Sequence, residues 1–297
     1  ESGRKWLGDI PYDVFFYDSL ETAGDLSRPD ASQPVAATAA NPPDASPLPD
    51  EAAAGTSSEE QGAGFDWGQS VPISVIETEV KMIRNHLRQS LQTVGTYNGS
   101  YKEIQCDGAT LAAIAAVAIE HPASLSWKDR APLIRNLGTQ ISEAADELGR
   151  EAYDKTQKCY HELVDVLDGG SGGREPSTEA RVAFAVCADR IGLMRRMNRS
   201  STWLKQNVGT ADELTANADE AGHEASMIAA LAAVVSHTTA DSAADDVYSE
   251  QAAAAVDSAL AVRKAIEMSD LGQFQDAFNR VQQSCDRCHA DYRFGNE

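Results

Sequence analysis

From about residue 70 onward, apolar positions recur every three or four residues, the period of one buried helix face. Ile73, Ile76, Val80, Ile83, Leu87, Leu91 and Val94 predict a first helix over 73–94. A nearly all-apolar alanine run, Leu111 to Ile119, predicts a second over 100–120, which Pro122 ends. Leu133, Ile134, Leu137, Ile141 and Leu148 mark a third near 128–147. Tyr153, Cys159, Leu163, Val166 and Leu167 mark a fourth over about 150–167. The run Gly169-Gly170-Ser171-Gly172-Gly173 then breaks the pattern. Four more helices follow, over about 178–206, 211–237, 243–268 and 271–292. Thr210-Ala211-Asp212-Glu213 resembles a capping box at the start of the second of these. Two sets of four helices with short connections predict an all-α fold, two tandem antiparallel four-helix bundles over 70–170 and 174–297.

The two sets read as copies of one unit. Val94-Gly95-Thr96 answers Val208-Gly209-Thr210, Ala112 to His121 answers Ile228 to His237, and Gln157-x-Cys159 answers Gln283-x-Cys285. The shared order of these matches points to duplication. On that alignment Glu162 and Leu163 stand in the first copy where Cys288 and His289 stand in the second.

Before residue 70 the pattern is lost. Residues 1–26 carry Trp6, Tyr12, Phe15, Phe16 and Tyr17 in a piece too short to bury them. They read as an aromatic N-terminal arm that docks on another surface. Residues 27–69 hold Pro29, Pro34, Pro42, Pro43, Pro47 and Pro49 among alanine and acidic residues, the composition of an extended Pro/Ala/Asp-rich linker.

Composition narrows the partners. The chain has 46 acidic against 25 basic residues in 297, a formal charge of −21. That excludes a general affinity for nucleic acid and favours a basic partner protein or a solubilising surface. No apolar run reaches the ~18 residues that span a bilayer. No phosphate loop, repeated Glu-x-x-His pair or nucleophile spaced to a base is present, so no enzyme class is indicated.

The strongest chemical signal is Cys285-Asp286-Arg287-Cys288-His289, the C-x-x-C-H attachment sequence of a c-type haem (heme c). Shuffling five Cys and six His through the chain gives this string roughly two times in a thousand. Thiols at i and i+3 lie on one helix face, as thioether bonds to one porphyrin edge require. His289 follows within reach of the iron as a proximal ligand. A redox pair or half of a zinc site would need a βαβ context or a second Cys/His cluster, and the sequence has neither. One haem is expected, not two.

A single C-x-x-C-H on the last helix of a four-helix bundle resembles the cytochrome c′ family and its low-spin relative, cytochrome c556. The resemblance covers about 178–294 and includes His289-Ala290-Asp291-Tyr292-Arg293, similar to the family's C-H-x-x-(aromatic)-Arg ending. Ile10-Pro11-Tyr12-Asp13-Val14 is also like the N-terminal segment of larger two-bundle cytochromes from planctomycete-type bacteria. The resemblance implies a sixth haem position facing the first helix of the bundle, where Arg190-Ile191-Gly192-Leu193-Met194 fits the family pattern. Met194 is then the distal ligand, with Gly192 letting the ring approach the helix backbone. A thioether opposite histidine gives low-spin iron with a raised potential. His223 in the next helix is the alternative ligand, and an open site the third. Arg190 and Arg293 are candidate partners for the haem propionates.

The implied function is one-electron transfer by an exported, periplasmic mono-haem cytochrome with a redox partner protein. Alternatives are a five-coordinate protein that binds or senses NO or CO, and a subunit or homo-oligomer assembled through residues 1–26. Covalent attachment outside the cytoplasm makes Glu1 the expected start of a processed chain. Cys106 and Cys159 could bridge two helices of the first bundle or pack as buried thiols.

Overall fold

The computed structural model describes residues 6–7, 10–11, 65–171, 189–236 and 246–292. The chain divides into two compact units, residues 1–59 and 60–297. In the first, β1 (Trp6–Leu7) pairs antiparallel with β2 (Ile10–Pro11), with Trp6 opposite Pro11 and Leu7 opposite Ile10. The rest of the expected arm, and the linker as far as residue 64, lie outside the described residues.

The second unit is all helix and connecting turns, with ten α-helices among the described residues. They are α1 (Trp67–Ser70), α2 (Ile73–Ser90), α3 (Val94–Glu120), α4 (Ala131–Ala144) and α5 (Arg150–Leu167). The second half supplies α6 (Arg190–Asn207), α7 (Ala211–Ala216), α8 (Ala218–Ser236), α9 (Asp246–Glu267) and α10 (Leu271–Tyr292). No helix among the described residues is long and apolar enough to cross a membrane.

The alanine-rich helices are central. α3 is buried from Cys106 to Ala118 and α8 from His223 to Val235, whereas α2 and α5 each bury one stripe and expose the other face. Small side chains explain how α3 lies so close to α4. A Cβ built on Gly108 would stand 2.5 Å from the Ser142 nitrogen, and one on Gly138 2.6 Å from the Ala112 nitrogen. Neither neighbour is a flexible side chain. Gly108→Val is therefore expected to destabilise the protein by about 1–3 kcal/mol or more, read from the urea midpoint. A midpoint equal to that of the unsubstituted protein would mean that the helices can part without loss.

The halves share a core. One cluster of buried residues runs from Trp67, Ile76 and Ile114 to Leu193, Leu231 and Tyr248. The break expected at Gly169–Gly173 therefore falls inside one compact unit. α3 packs on α2, α4 and α6, while α8 packs on α6 and α9.

The helix starts of the two halves run in parallel, though in a different register from the sequence matches. α6 begins and ends 117 residues after α2 (190 against 73, 207 against 90), and α7 begins 117 after α3 (211 against 94). Thr93 and Thr210 are the equivalent N-caps, each in a reciprocal capping box. Val208 thus answers Leu91, not Val94. In the last pair, α10 begins 121 residues after α5 (271 against 150). Buried Phe274, Ala277, Val281 and Ser284 then fall on buried Tyr153, Thr156, Tyr160 and Leu163. This moves Cys285 from Cys159 to Val164, Cys288 to Leu167 and His289 to Asp168, because burial and helix starts fix the register.

Candidate functional site

α10 is amphipathic, with Phe274, Phe278, Val281 and Ser284 on its buried face. Cys285, Cys288 and His289 continue that stripe toward the helix end and are each half-buried. Burial pushes both thiols above their usual range; Asp286 adds to this for Cys285, and Arg190 partly offsets it for Cys288. Cys288 packs against one core cluster and Cys285 against the other, so the pair lies at the seam between them.

α6 faces this seam. Asp189 caps it, accepting hydrogen bonds from the Ile191 and Gly192 backbone nitrogens at 3.1 and 3.0 Å. One turn on, Met194 and Met197 lie at i and i+3 and are half-buried. Between the helices lie a cavity of about 560 Å³, lined by Arg190, Met194, Cys288 and His289, and one of about 350 Å³, lined by Met194, Met197, Cys285 and His289. A narrow apolar slit also touches Met194, His289 and both thiols, with Ile228, Ala232 and Val235 of α8 at its base. Such volumes are those of cofactor sites.

The wall beyond Cys288 is aromatic. Tyr248 and Tyr292 meet edge to face with centroids 5.1 Å apart, and the Tyr248 hydroxyl donates to the Val235 carbonyl at 3.0 Å. Arg190 Nη2 donates to the Tyr292 carbonyl at 3.3 Å, which holds its guanidinium at the cavity mouth. Arg293 lies outside the described residues.

The residues fit a covalently held haem. Among the described residues no three His, Cys, Asp or Glu side chains converge as ligands of one ion would. The hollows the two thiols face are lined by polar and apolar groups alike, with an apolar slit between them, and offer the His289 imidazole, the Met194 thioether and the Arg190 guanidinium at the mouth.

Three expectations change. His223 does not line this cavity: its Nε2 lies 2.8 Å from Glu79 Oε2 in a buried network. Gly192 does not face the cavity as a clearance for a ring. A Cβ there would stand 2.6 Å from the Ala109 Cβ, so its smallness serves the crossing of α6 with α3. Cys106 forms no bridge; its Sγ donates to the Gly192 carbonyl at 3.3 Å at that same crossing. Cys187 is outside the described residues.

Two polar clusters escaped the sequence reading. In the first, Arg196 is 3% exposed and makes paired hydrogen bonds to Glu79 at 2.7 and 2.9 Å and to Glu224 at 2.7 and 3.3 Å. It also donates to Ser200 Oγ at 2.6 Å. Burial alone would raise the Glu79 carboxyl, but hydrogen bonds from Arg196 and His223 hold it down to about 2. Burial would likewise lower Arg196, yet the two carboxylates raise it above its ordinary value. Glu79 and Arg196 are equivalent positions of the two copies, 117 apart, as are Asp107 and Glu224. A single-sequence reading has no signal for this, because Glu79 looks like one more solvated acid on α2.

In the second cluster, His86 Nδ1 is hydrogen-bonded to Asp107 and Ser90 Oγ lies 3.2 Å from His86 Nε2. Asp107 raises the His86 pKa, while burial pushes the Asp107 carboxyl up. The order Ser–His–Asp is that of hydrolytic triads. Ser90, however, is the last residue of α2 and is 5% exposed.

No family model matches this chain, and neither does any curated protein or solved structure.

Proposed function

We propose that the chain is a mono-haem c-type cytochrome of the cytochrome c′/c556 type that carries single electrons. Cys285 and Cys288 would hold the group through thioethers, His289 would be its proximal ligand, and Met194 would occupy the opposite side. Arg190 and Arg293 would pair its carboxylates. When bound, the haem supplies a one-electron ferric/ferrous couple; the chain fixes it, keeps water from it and sets its potential. The observation that carries this reading is that Met194 and His289 line two adjoining hollows of about 560 and 350 Å³, one reaching Cys288 and the other Cys285, with a narrow slit touching both thiols.

On this reading α2–α5 and α6–α10 are two tandem four-helix bundles, α7 and α8 together counting as one helix. The first carries no haem: Val164, Leu167, Asp168 and Glu77 stand where the second has Cys285, Cys288, His289 and Met194. Covalent haem attachment makes the protein an exported, periplasmic one, and no enzymatic step is assigned to it.

Met194 separates the electron carrier from the gas-binding alternative. The unsubstituted protein is expected to give a six-coordinate, low-spin ferric spectrum that CO leaves unchanged. Met194→Ala is expected to turn it five-coordinate, open it to CO and lower its potential. A five-coordinate spectrum and ready CO binding before any substitution would favour the gas-binding reading.

A further inference from the structure

We infer that the basic face of α6 beside the cavity is the docking surface for a redox partner that presents a carboxylate-rich patch. This rests on the electron-carrier reading above and deepens it. A chain with formal charge −21 would be expected to attract basic partners, yet its charge is unevenly spread. Over Arg190–Asn207, α6 has Arg190, Arg195, Arg196, Arg199 and Lys205 and not one carboxylate. At the chain's average, 18 residues would carry about three acids and one or two bases.

Arg196 is turned inward and neutralised by Glu79 and Glu224. The others remain near the surface: Arg190, which on the reading above pairs a haem carboxylate, is half-buried, and Arg195 and Arg199 are exposed, Arg199 lying 3.8 Å from Asp107. Arg190 and Arg195 line the larger cavity beside Cys288 and His289, whose lining holds no acidic side chain among the described residues. Arg195 also borders a neighbouring cavity of about 580 Å³ with Arg199 and Lys102 of α3; Glu103 stands in its lining, and Asp107 and Asp146 reach Arg199 at 3.8 Å and Lys102 at 4.0 Å, leaving Arg195 as the strip's cation without a carboxylate partner among the described residues. The two hollows thus form one basic strip that begins at the attachment helix. Ile191, 61% exposed, stands in it as an apolar contact. An apolar centre with a charged rim suits a small, short-lived interface.

Screening decides which charge a partner feels. At about 0.1 M salt the Debye length is about 10 Å, so a partner at contact responds to the strip and not to the whole molecule. At low salt the range grows to about 30 Å and the body's negative charge repels the same partner. Association with an acidic partner is therefore strongest at intermediate ionic strength.

The test uses the full haem-loaded chain and a fluorescent deca-glutamate peptide, followed by anisotropy at about 0.1 M salt. The peptide is expected to bind, and Lys102→Glu with Arg195→Glu to weaken it about tenfold or more. Lys155→Glu with Lys158→Glu alters net charge equally on exposed residues of α5 and is expected to have a much smaller effect. The peptide is also expected to slow oxidation of the reduced protein by ferricyanide. No binding, or equal weakening by both pairs, overturns the docking surface even where haem is present. Peptide binding to a chain shown by its absorption to carry no haem overturns the redox role instead.

Discussion

Arg196→Met is expected to destabilise the protein by about 3–5 kcal/mol, the cost of stranding buried charge. The guanidinium is flanked by Glu79 on α2 and Glu224 on α8, and all three are under 7% exposed. Methionine fills the volume but leaves Glu224 without its cation, Glu79 with only His223 beside it, and Ser200 without its donor. Against a total stability of about 5–15 kcal/mol, that loss is a large fraction. Replacing the whole group (Glu79→Leu, Arg196→Met and Glu224→Leu together) is expected to cost far less, because nothing charged is then left buried. Urea unfolding of both variants checks the contrast. Equal stability of the two would show that packing, not charge, makes this position sensitive.

Acid is expected to weaken the fold through the same network. Glu79 falls from an ordinary 4.5 to about 2 in the folded chain. A depressed carboxylate adds stability that is complete above the unfolded value and lost as pH falls through the folded one. The window is therefore about pH 4.5 down to about 2, and the loss on the order of 3 kcal/mol. Stability measured across that window should fall steeply in the unsubstituted chain and less so in Glu79→Gln, which starts lower. Parallel curves would assign the acid sensitivity to other groups.

Much of the fold was legible because its helices are amphipathic. The stripes of α2, α5 and α10 and the Thr210 capping box follow from local spacing, and the structure places them within a few residues of expectation. The turn between α2 and α3 did not follow. Polar Thr96-Tyr97-Asn98-Gly99 read as the end of a connection, but the Thr93–Thr96 capping box starts α3 there. Tyr97 then buries its ring and donates to the Glu147 carbonyl at 2.7 Å, a contact across 50 residues. Leu148 fits the third helix's apolar pattern yet is 58% exposed, since α4 stops at Ala144.

The candidate site divides the same way. C-x-x-C-H is a local string, so spacing reveals it. Met194 as the distal ligand was implied by resemblance alone; the structure puts Met194 in the lining of the hollows that His289 also lines. The Glu79–Arg196–Glu224 group was invisible because each member has the same residue type as many surface positions. Only its partners, up to 117 residues away, distinguish it. The local sign of charge was hidden for a similar reason: a total of −21 says nothing of how α6 collects the cations on one strip.

The central claim is tested most directly by weighing the intact protein, isolated from cells able to attach haem, under denaturing conditions. The account predicts the polypeptide plus one haem, localised to the peptide that holds Cys285 and Cys288, and the bare polypeptide for Cys285→Ser with Cys288→Ser. A bare polypeptide from the unsubstituted chain would contradict it.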